Sequence, residues 1–332
     1  LGIISLSLYL YTLRIGNLVT HILSFEYIYF TLFTIYLLAV VVVLKAKLPA
    51  LPTIAIVIAF AVVFRFVLLF SSPTLSNDIY RYVWEGKVQA AGVNPYTTYP
   101  ASQELASLRD ESIYPLISSK SSYAPYQPAS QLFFMFVYLL GSDSVSFLKF
   151  ILIIFDVGSI VLIMLILKEL KIDSNRVLVY AWSPLVIFEI GHSGHVDALV
   201  VFLLLAAILA RLKAKPILTG VLLGLAIPIK LYPITLLPAF LRKGDLRMPA
   251  ALAATVSLVY IPYIEAGWKI FRFVFEFQGG PWFNAGLRYF MVRAFGDYSG
   301  KVDTIFLLFS VAVLAIASVV VILKKERTDQ NF

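Results

Sequence analysis

The run LPTIAIVIAFAVVFRFVLLF, Leu51–Phe70, holds twenty residues and a single charge, Arg65. A helix of about 20 apolar residues spans the hydrocarbon core of a bilayer. Comparable runs recur along all 332 residues, of which 60% are hydrophobic and 14% charged, with a mean hydropathy of +0.89. Soluble domains carry about 25% charged residues. The chain therefore reads as an all-α polytopic membrane protein, one transmembrane domain over 1–332. Apolar helices are expected at 2–20, 26–44, 51–70, 145–167, 176–190, 198–212, 216–229, 231–242, 248–264 and 302–323, about ten crossings. The first lacks a basic n-region and a small-residue cleavage site, so it is expected to be a retained span and not a signal peptide. The absence of cysteine excludes disulfides, thiolate metal sites and cysteine nucleophiles.

Basic residues concentrate in short cytoplasmic connectors. With the N-terminus inside, those connectors hold Lys45 and Lys47; Lys168, Lys171 and Arg176; Arg211, Lys213 and Lys215; Arg242, Lys243 and Arg247; and Lys324, Lys325 and Arg327. They carry 14 basic and five acidic residues, a net of +9, which leaves −1 for everything else in a chain of net +8. The positive charge is topological, and no nucleic-acid partner is expected. Two apolar stretches, Gln131–Leu140 and Gly286–Phe295, are too short to cross and are expected to be re-entrant or interfacial helices. Two large segments, 71–144 and 265–301, then lie outside, and the chemistry is expected on the extracytoplasmic face of a multi-pass cell-membrane protein.

Directly after Phe70 and a short link comes SNDIYRYVWEGKVQAAGVNPY, Ser76–Tyr96. Residues three and four apart share a helix face, so Asp78, Arg81, Tyr82, Glu85 and Gln89 form one stripe. Ser76, Asn77 or Asp78 can cap such a helix, and Gly92 with Asn94-Pro95 ends it. Its Tyr80 and Trp84 suit the headgroup level, as in a helix lying along the outer leaflet. Asp78 is then either a cap or a general base held above the membrane.

A second outer cluster is EIGHSGHVDALVVFLLLAA, which gathers Glu189, His192, His195 and Asp197 between two spans. Three readings are open: a divalent metal site, a polar interhelical turn, or hydrogen bonds to a sugar or phosphate. Two glycines make a poor rigid ligand frame, and no metal or other cofactor is expected. In GVLLGLAIPIKLYPITLLPAF, Lys230 ends an apolar run between Pro228 and Pro233. It either snorkels to the headgroups or marks a functional site. Arg65 and Asp156 pose the same question inside spans, and mutual pairing is the expectation. Arg288 and Arg293, beside Trp282 and Phe283, suit an anionic lipid headgroup. No Gly-rich phosphate loop joins a strand to a helix.

SNDIYRYVWEGKVQAAGVNPY closely resembles the first outer-loop motif of prokaryotic (archaeal or bacterial) mannosyltransferases in the GT-C glycosyltransferase superfamily. SYAPYQPASQ, Ser122–Gln131, is similar to their Tyr-Pro-Pro-x-x-x-Gln segment, with Ala124 and Tyr126 departing from it. GHSGHVDAL resembles their Gly-His-x-Asp-Ala segment, lengthened by a second histidine. GVLLGLAIPIKLYP matches a Gly-Leu-Ala-x-x-x-Lys-x-Tyr-Pro stretch, so the likeness runs from about Leu51 to Phe240.

The resemblance implies a GT-C-like helix bundle with interfacial helices in its outer loops. It implies an inverting transfer of a sugar, most commonly mannose, from a polyprenyl or dolichyl phosphate donor to a glycolipid or lipid-linked glycan acceptor. It makes Asp78 the base. Lys230, His192, His195 and Arg288 would meet the donor phosphate. Arg81, Tyr82, Glu85, Tyr123, Tyr126, Gln131 and Asp197 would line the substrates, Arg81 alternatively orienting Asp78. The competing class is a lipid or sugar transporter or flippase, in which Arg65, Asp156 and Lys230 would form a charge pathway.

Overall fold

A computed structural model describes residues 1–46, 48–272, 286–295, 305, 308–310, 312–317 and 320. Its regular secondary structure is helical, with no strand among the described residues. The principal helices are α1 (Gly2–Ile15), α2 (Ile22–Lys45), α3 (Ala50–Leu69), α4 (Asp78–Ala90), α5 (Pro128–Gly141), α6 (Val145–Glu169), α7 (Asp197–Leu212), α8 (Pro216–Ala226), α9 (Arg247–Tyr260) and α10 (Gly286–Phe295).

Among the described residues, four helical stretches are long and apolar enough to cross a membrane. They are Ile22–Lys45, Ala50–Leu69, Val145–Glu169 and Arg247–Phe271, the last formed by α9 and the 3₁₀ segment Ile261–Phe271 that continues it. The other expected crossings are shorter or interrupted. The first stops at Ile15, where Gly16 takes φ 74°. The segment expected at 176–190 breaks at Trp182-Ser183-Pro184 into Leu178–Ala181, Pro184–Val186 and a π-helical turn, Ile187–His192. Proline both removes an amide donor and clashes with the preceding turn. Pro233 and Pro238 likewise leave 231–242 as a 3₁₀ turn, Tyr232–Leu236, and a four-residue helix, Leu237–Phe240. The expected crossing at 302–323 lies largely outside the described residues.

Helix α4 departs from the interfacial expectation. Ile79, Arg81, Tyr82, Val83, Trp84, Glu85, Gly86 and Val88 are all buried. Trp84 is only 1% exposed and packs on Tyr114, with ring centroids 5.4 Å apart, instead of meeting headgroups. The loop after α4 folds back over it; Lys87 fastens that cover through Asp110 at 2.8 Å and also meets Asp143, in the α5–α6 turn, at 3.3 Å. Against α5 the approach is close: a Cβ on Gly86 would lie 2.5 Å from the Phe134 carbonyl oxygen, so only glycine fits this crossing. Tyr82 stacks on Phe134 beside it, 4.5 Å between centroids at 11°.

Deeper in the bundle, Arg65 of α3 and Asp156 of α6 form an ion pair with both side chains fully buried. Arg65 also donates to the carbonyls of Ala61 and Ala181, at 2.9 and 2.8 Å. Tyr180 donates to the other Asp156 oxygen at 2.5 Å. The expected pairing of these two charges is what the fold contains.

Candidate active site

The link from α3 to α4 is fixed from below before it reaches Asp78. Lys149 of α6, 1% exposed, donates to the carbonyls of Leu68 and Ser71, both at 2.8 Å. His192, also 1% exposed, has its Nε2 3.2 Å from the Thr74 amide, which donates to it. That contact puts the ring proton on Nδ1, which donates to the Ser71 hydroxyl at 2.8 Å. Burial, helped by the nearby Lys149 charge, pushes the His192 pKa down to about 4. A neutral histidine with both nitrogens engaged is a brace for this loop.

The brace delivers Asp78 to the first turn of α4 with its carboxylate not used as a cap. The Asp78 amide donates to Ser76 Oγ at 3.2 Å, and the N-cap residue Asn77 makes no side-chain cap. Ser76 therefore serves the amide, while the Asp78 side chain, 47% exposed, points to His195 Nε2 at 3.8 Å. An acid here is also favoured by the helix N-terminus.

His195 reaches this position through the turn after the π-helical segment. Gly194 adopts φ 71°, and a Cβ there would come 2.3 Å from Ile79 Cδ1. Only a glycine lets the turn sit directly on the first residues of α4. His195 Nδ1 meets Glu189 Oε2 at 2.5 Å, and its Nε2 lies 3.1 Å from Ser76 Oγ. Burial opposes a charge on this ring, but the Glu189 hydrogen bond and the carboxylates of Glu189, Asp78 and Asp197 outweigh it and raise its pKa.

A second acid–cation pair lies alongside. Asp197 opens α7, and Lys230 Nζ donates to its Oδ2 at 2.6 Å, with the two side chains 37% and 38% exposed. The turn carrying Lys230 is held by α5: the Ala129 amide donates to the Pro228 carbonyl and the Ser130 hydroxyl to the Ile229 carbonyl, each at 2.9 Å. Two motifs about a hundred residues apart are thereby joined. Tyr82 and Tyr126, with centroids 4.9 Å apart, complete the group. Burial raises both phenol pKa values; Asp78 adds to the effect on Tyr126, and Tyr126, Asp78 and Asp197 add in that order to the effect on Tyr82.

Asp78, His195, Asp197, Lys230, Tyr82 and Tyr126 are thus brought together. Arg81, Glu85 and Gln131 belong to a different, buried network. Arg81 binds Glu85 at 2.5 Å and the carbonyls of Ser119 and Ser122, at 3.3 and 3.0 Å, so it anchors the loop that follows α4 and does not orient Asp78. Burial raises the Glu85 pKa, with Arg81 opposing. Gln131 donates to Glu85 at 3.4 Å and accepts from Gln89 at 2.8 Å, and Gln89 in turn accepts from Tyr263 at 2.6 Å. Tyr123 packs edge-on to Tyr99 at 5.5 Å, with the Arg272 guanidinium 4.0 Å above its ring. The side chain of Arg288, and both Trp282 and Phe283, lie outside the described residues. Among the described residues, no three histidine or carboxylate side chains converge as a metal-ligand set.

Lys149 and Ser76 were not singled out as site residues by sequence reasoning. The signal for Lys149 was present: it is a lone cation in the apolar run FLKFILIIFD, on the same helix face as Asp156 two turns later.

A family model described as Alpha-(1->6)-mannopyranosyltransferase, N-terminal domain, matches residues 11–242. That range contains every member of the Asp78 cluster, and it stops before Arg288. No curated protein and no solved structure matches the chain. With its helical fold, its membrane-length helices and a match over more than half its length, the chain belongs to the alpha-(1->6)-mannopyranosyltransferase N-terminal domain family.

Proposed function

We propose that this protein is a GT-C-type membrane enzyme that transfers mannose from a polyprenyl or dolichyl phosphate to a glycolipid or lipid-linked glycan at the extracytoplasmic face. The observation that carries the reading is Asp78: an uncapped, half-exposed carboxylate at a helix N-terminus, facing His195, a ring that also feels Asp197, the carboxylate that holds Lys230. The basic connectors on the opposite side support an outer location for 71–144 and 265–301.

In this mechanism the acceptor hydroxyl gives its proton to Asp78 as its oxygen forms a bond to the anomeric carbon. The bond from that carbon to the lipid phosphate breaks on the opposite face, and the phosphate leaves with the electron pair. Configuration inverts in one step. Charge developing on the leaving phosphate calls for a cation in place. Lys230 supplies it by exchanging Asp197 for the phosphate, and Asp197 is then released to accept sugar hydroxyls. The pairing of Arg65 with Asp156 and of Lys230 with Asp197 gives each of these charges a local partner, which favours this reading over a transporter's charge pathway.

The decisive assay is transfer of labelled mannose from a short-chain polyprenyl phosphate to an extracted glycolipid pool by purified protein in nanodiscs. Transfer from a nucleotide sugar but not from the lipid donor would sink the proposal. Lys230→Met keeps length and removes charge, so donor affinity and turnover should both fall, each by roughly tenfold or more. A lysine that only snorkels predicts no change in either.

Transfer should also survive excess EDTA. A phosphodiester donor carries one negative charge, which Lys230 can neutralise without an ion. Complete loss in chelator, restored by manganese or magnesium, would show that the reaction needs a divalent cation.

A further inference from the structure

Two carboxylates stand in the proposed site, and each has a basic side chain beside it. Asp197 has Lys230 at 2.6 Å. The partner of Asp78 is His195, whose Nε2 lies 3.8 Å from Oδ2 with Ser76 Oγ at 3.1 Å beside it. The other nitrogen of the ring is taken by Glu189 at 2.5 Å, a spacing suited to a charge-assisted bond. This arrangement leaves His195 nothing to offer a phosphate that it does not first withdraw from Asp78.

The geometry points to His195, held by Glu189, as the protonated counter-cation of the catalytic carboxylate and not as a ligand of the donor phosphate. The inference rests on the reading of Asp78 as base. Its physical need is clear: the donor brings a phosphodiester anion toward an ionised Asp78 in a site that its substrates close to water. Repulsion between the two anions would oppose both binding and the ionised form of the base. An imidazolium 3.8 Å from the carboxylate offsets it, while Lys230 serves the phosphate side. Glu189 is then a positioning residue, which fixes the ring and keeps its proton.

The charged and titratable groups around His195 come from several elements. Its own segment supplies Glu189, with the Tyr29 phenol of α2 in electrostatic reach of that carboxylate. Asp78 comes from α4, with Tyr82 and Tyr126 beside it, and Asp197 comes from α7, carrying Lys230. The aliphatic stem of Lys149 packs at Gly194, but its ammonium is committed to the Leu68 and Ser71 carbonyls. Carboxylates dominate, which favours the imidazolium. The working form is therefore present below the His195 pKa and lost as pH rises through it.

The test is the pH profile of kcat/KM in wild type, Glu189→Gln, His195→Gln and His195→Lys, with a histidine NMR titration of the same proteins. Only three histidines need to be resolved. Wild type should show an alkaline limb that coincides with the NMR titration of His195. Glu189→Gln keeps an acceptor for Nδ1–H but removes its charge, so both should move to lower pH by about one unit or more. His195→Gln should lower the plateau on the order of tenfold and abolish the limb. His195→Lys should recover part of the rate and stay flat through neutral pH.

A His195 that titrates as an ordinary neutral ring, or a limb and NMR titration unmoved in Glu189→Gln, would overturn the inference. Either result beside an inactive Asp78→Asn leaves the base reading standing. A fully active Asp78→Asn defeats the base reading itself, and the NMR titration still reports whether His195 carries the charge.

Discussion

In purified Asp78→Asn protein, mannosyl transfer should fall by roughly 10²–10⁴-fold, the range by which a positioned general base contributes. The substitution is nearly isosteric, and the fold has little reason to notice it. The hydrogen bond at the start of α4 runs from the Asp78 backbone amide to Ser76 Oγ, so changing the Asp78 side chain leaves it intact. The side chain is half exposed and not packed into the α4–α5 contact. What the amide loses is the capacity to take a proton. Donor binding in nanodiscs should persist, since Lys230 and its turn are held independently by α5. Asp78→Glu, which retains a carboxylate but extends it by one methylene, should recover only part of the rate. Near-wild-type turnover by Asp78→Asn would reduce this acid to a helix-terminal charge and remove the mechanism.

How far the sequence foretold this site can be judged residue by residue. The bounds of α4 were legible, because a polar N-cap cluster and a glycine followed by Asn-Pro punctuate them. Its environment was not. A polar stripe on a helix signals polar neighbours and does not say whether they are water or protein. Arg81, Glu85 and Gln89 face a buried network closed by Gln131 and Tyr263, contacts that depend on segments up to 174 positions away. Trp84 was misplaced for the same reason: an aromatic suited to headgroups is equally suited to a packed loop.

The two histidines show a finer limit. Both follow glycine, within four positions, and hydropathy treats them alike. The π-helical turn that ends at His192 and the positive φ of Gly194 send one ring beneath the link and the other to Asp78. Neither backbone feature is written in a pattern of apolar residues. The crossings suffered similarly, since a hydropathy window passes over Pro184 and Pro233 that the backbone cannot ignore. The pairing of Arg65 with Asp156, by contrast, followed from electrostatics alone: two opposite charges in separate apolar helices have few other ways to be buried.

That pair carries the second large effect. Arg65→Met should destabilise the protein by about 3–5 kcal/mol, the cost of stranding one member of a buried ion pair. Both side chains are fully buried, and after the substitution Asp156 would keep only the Tyr180 hydroxyl. Replacing both charges is a different matter. Among the described residues Arg65 Nη2 has no hydrogen-bond partner, so the native pair does not fully offset its own desolvation. Arg65→Met combined with Asp156→Leu should therefore recover most of the loss, leaving mainly the unpaired Tyr180 hydroxyl and the Ala61 and Ala181 carbonyls. SDS-driven unfolding in mixed micelles of these two variants and of Asp156→Leu alone completes a double-mutant cycle. A single variant as stable as wild type would mean that water or another group replaces the arginine. The same cycle separates the two functional classes. A transporter that moves charge through Arg65 and Asp156 must lose its activity in the double variant, however well it folds. A glycosyltransferase whose chemistry sits at Asp78 has no use for these charges beyond stability, and its folded double variant should still transfer mannose.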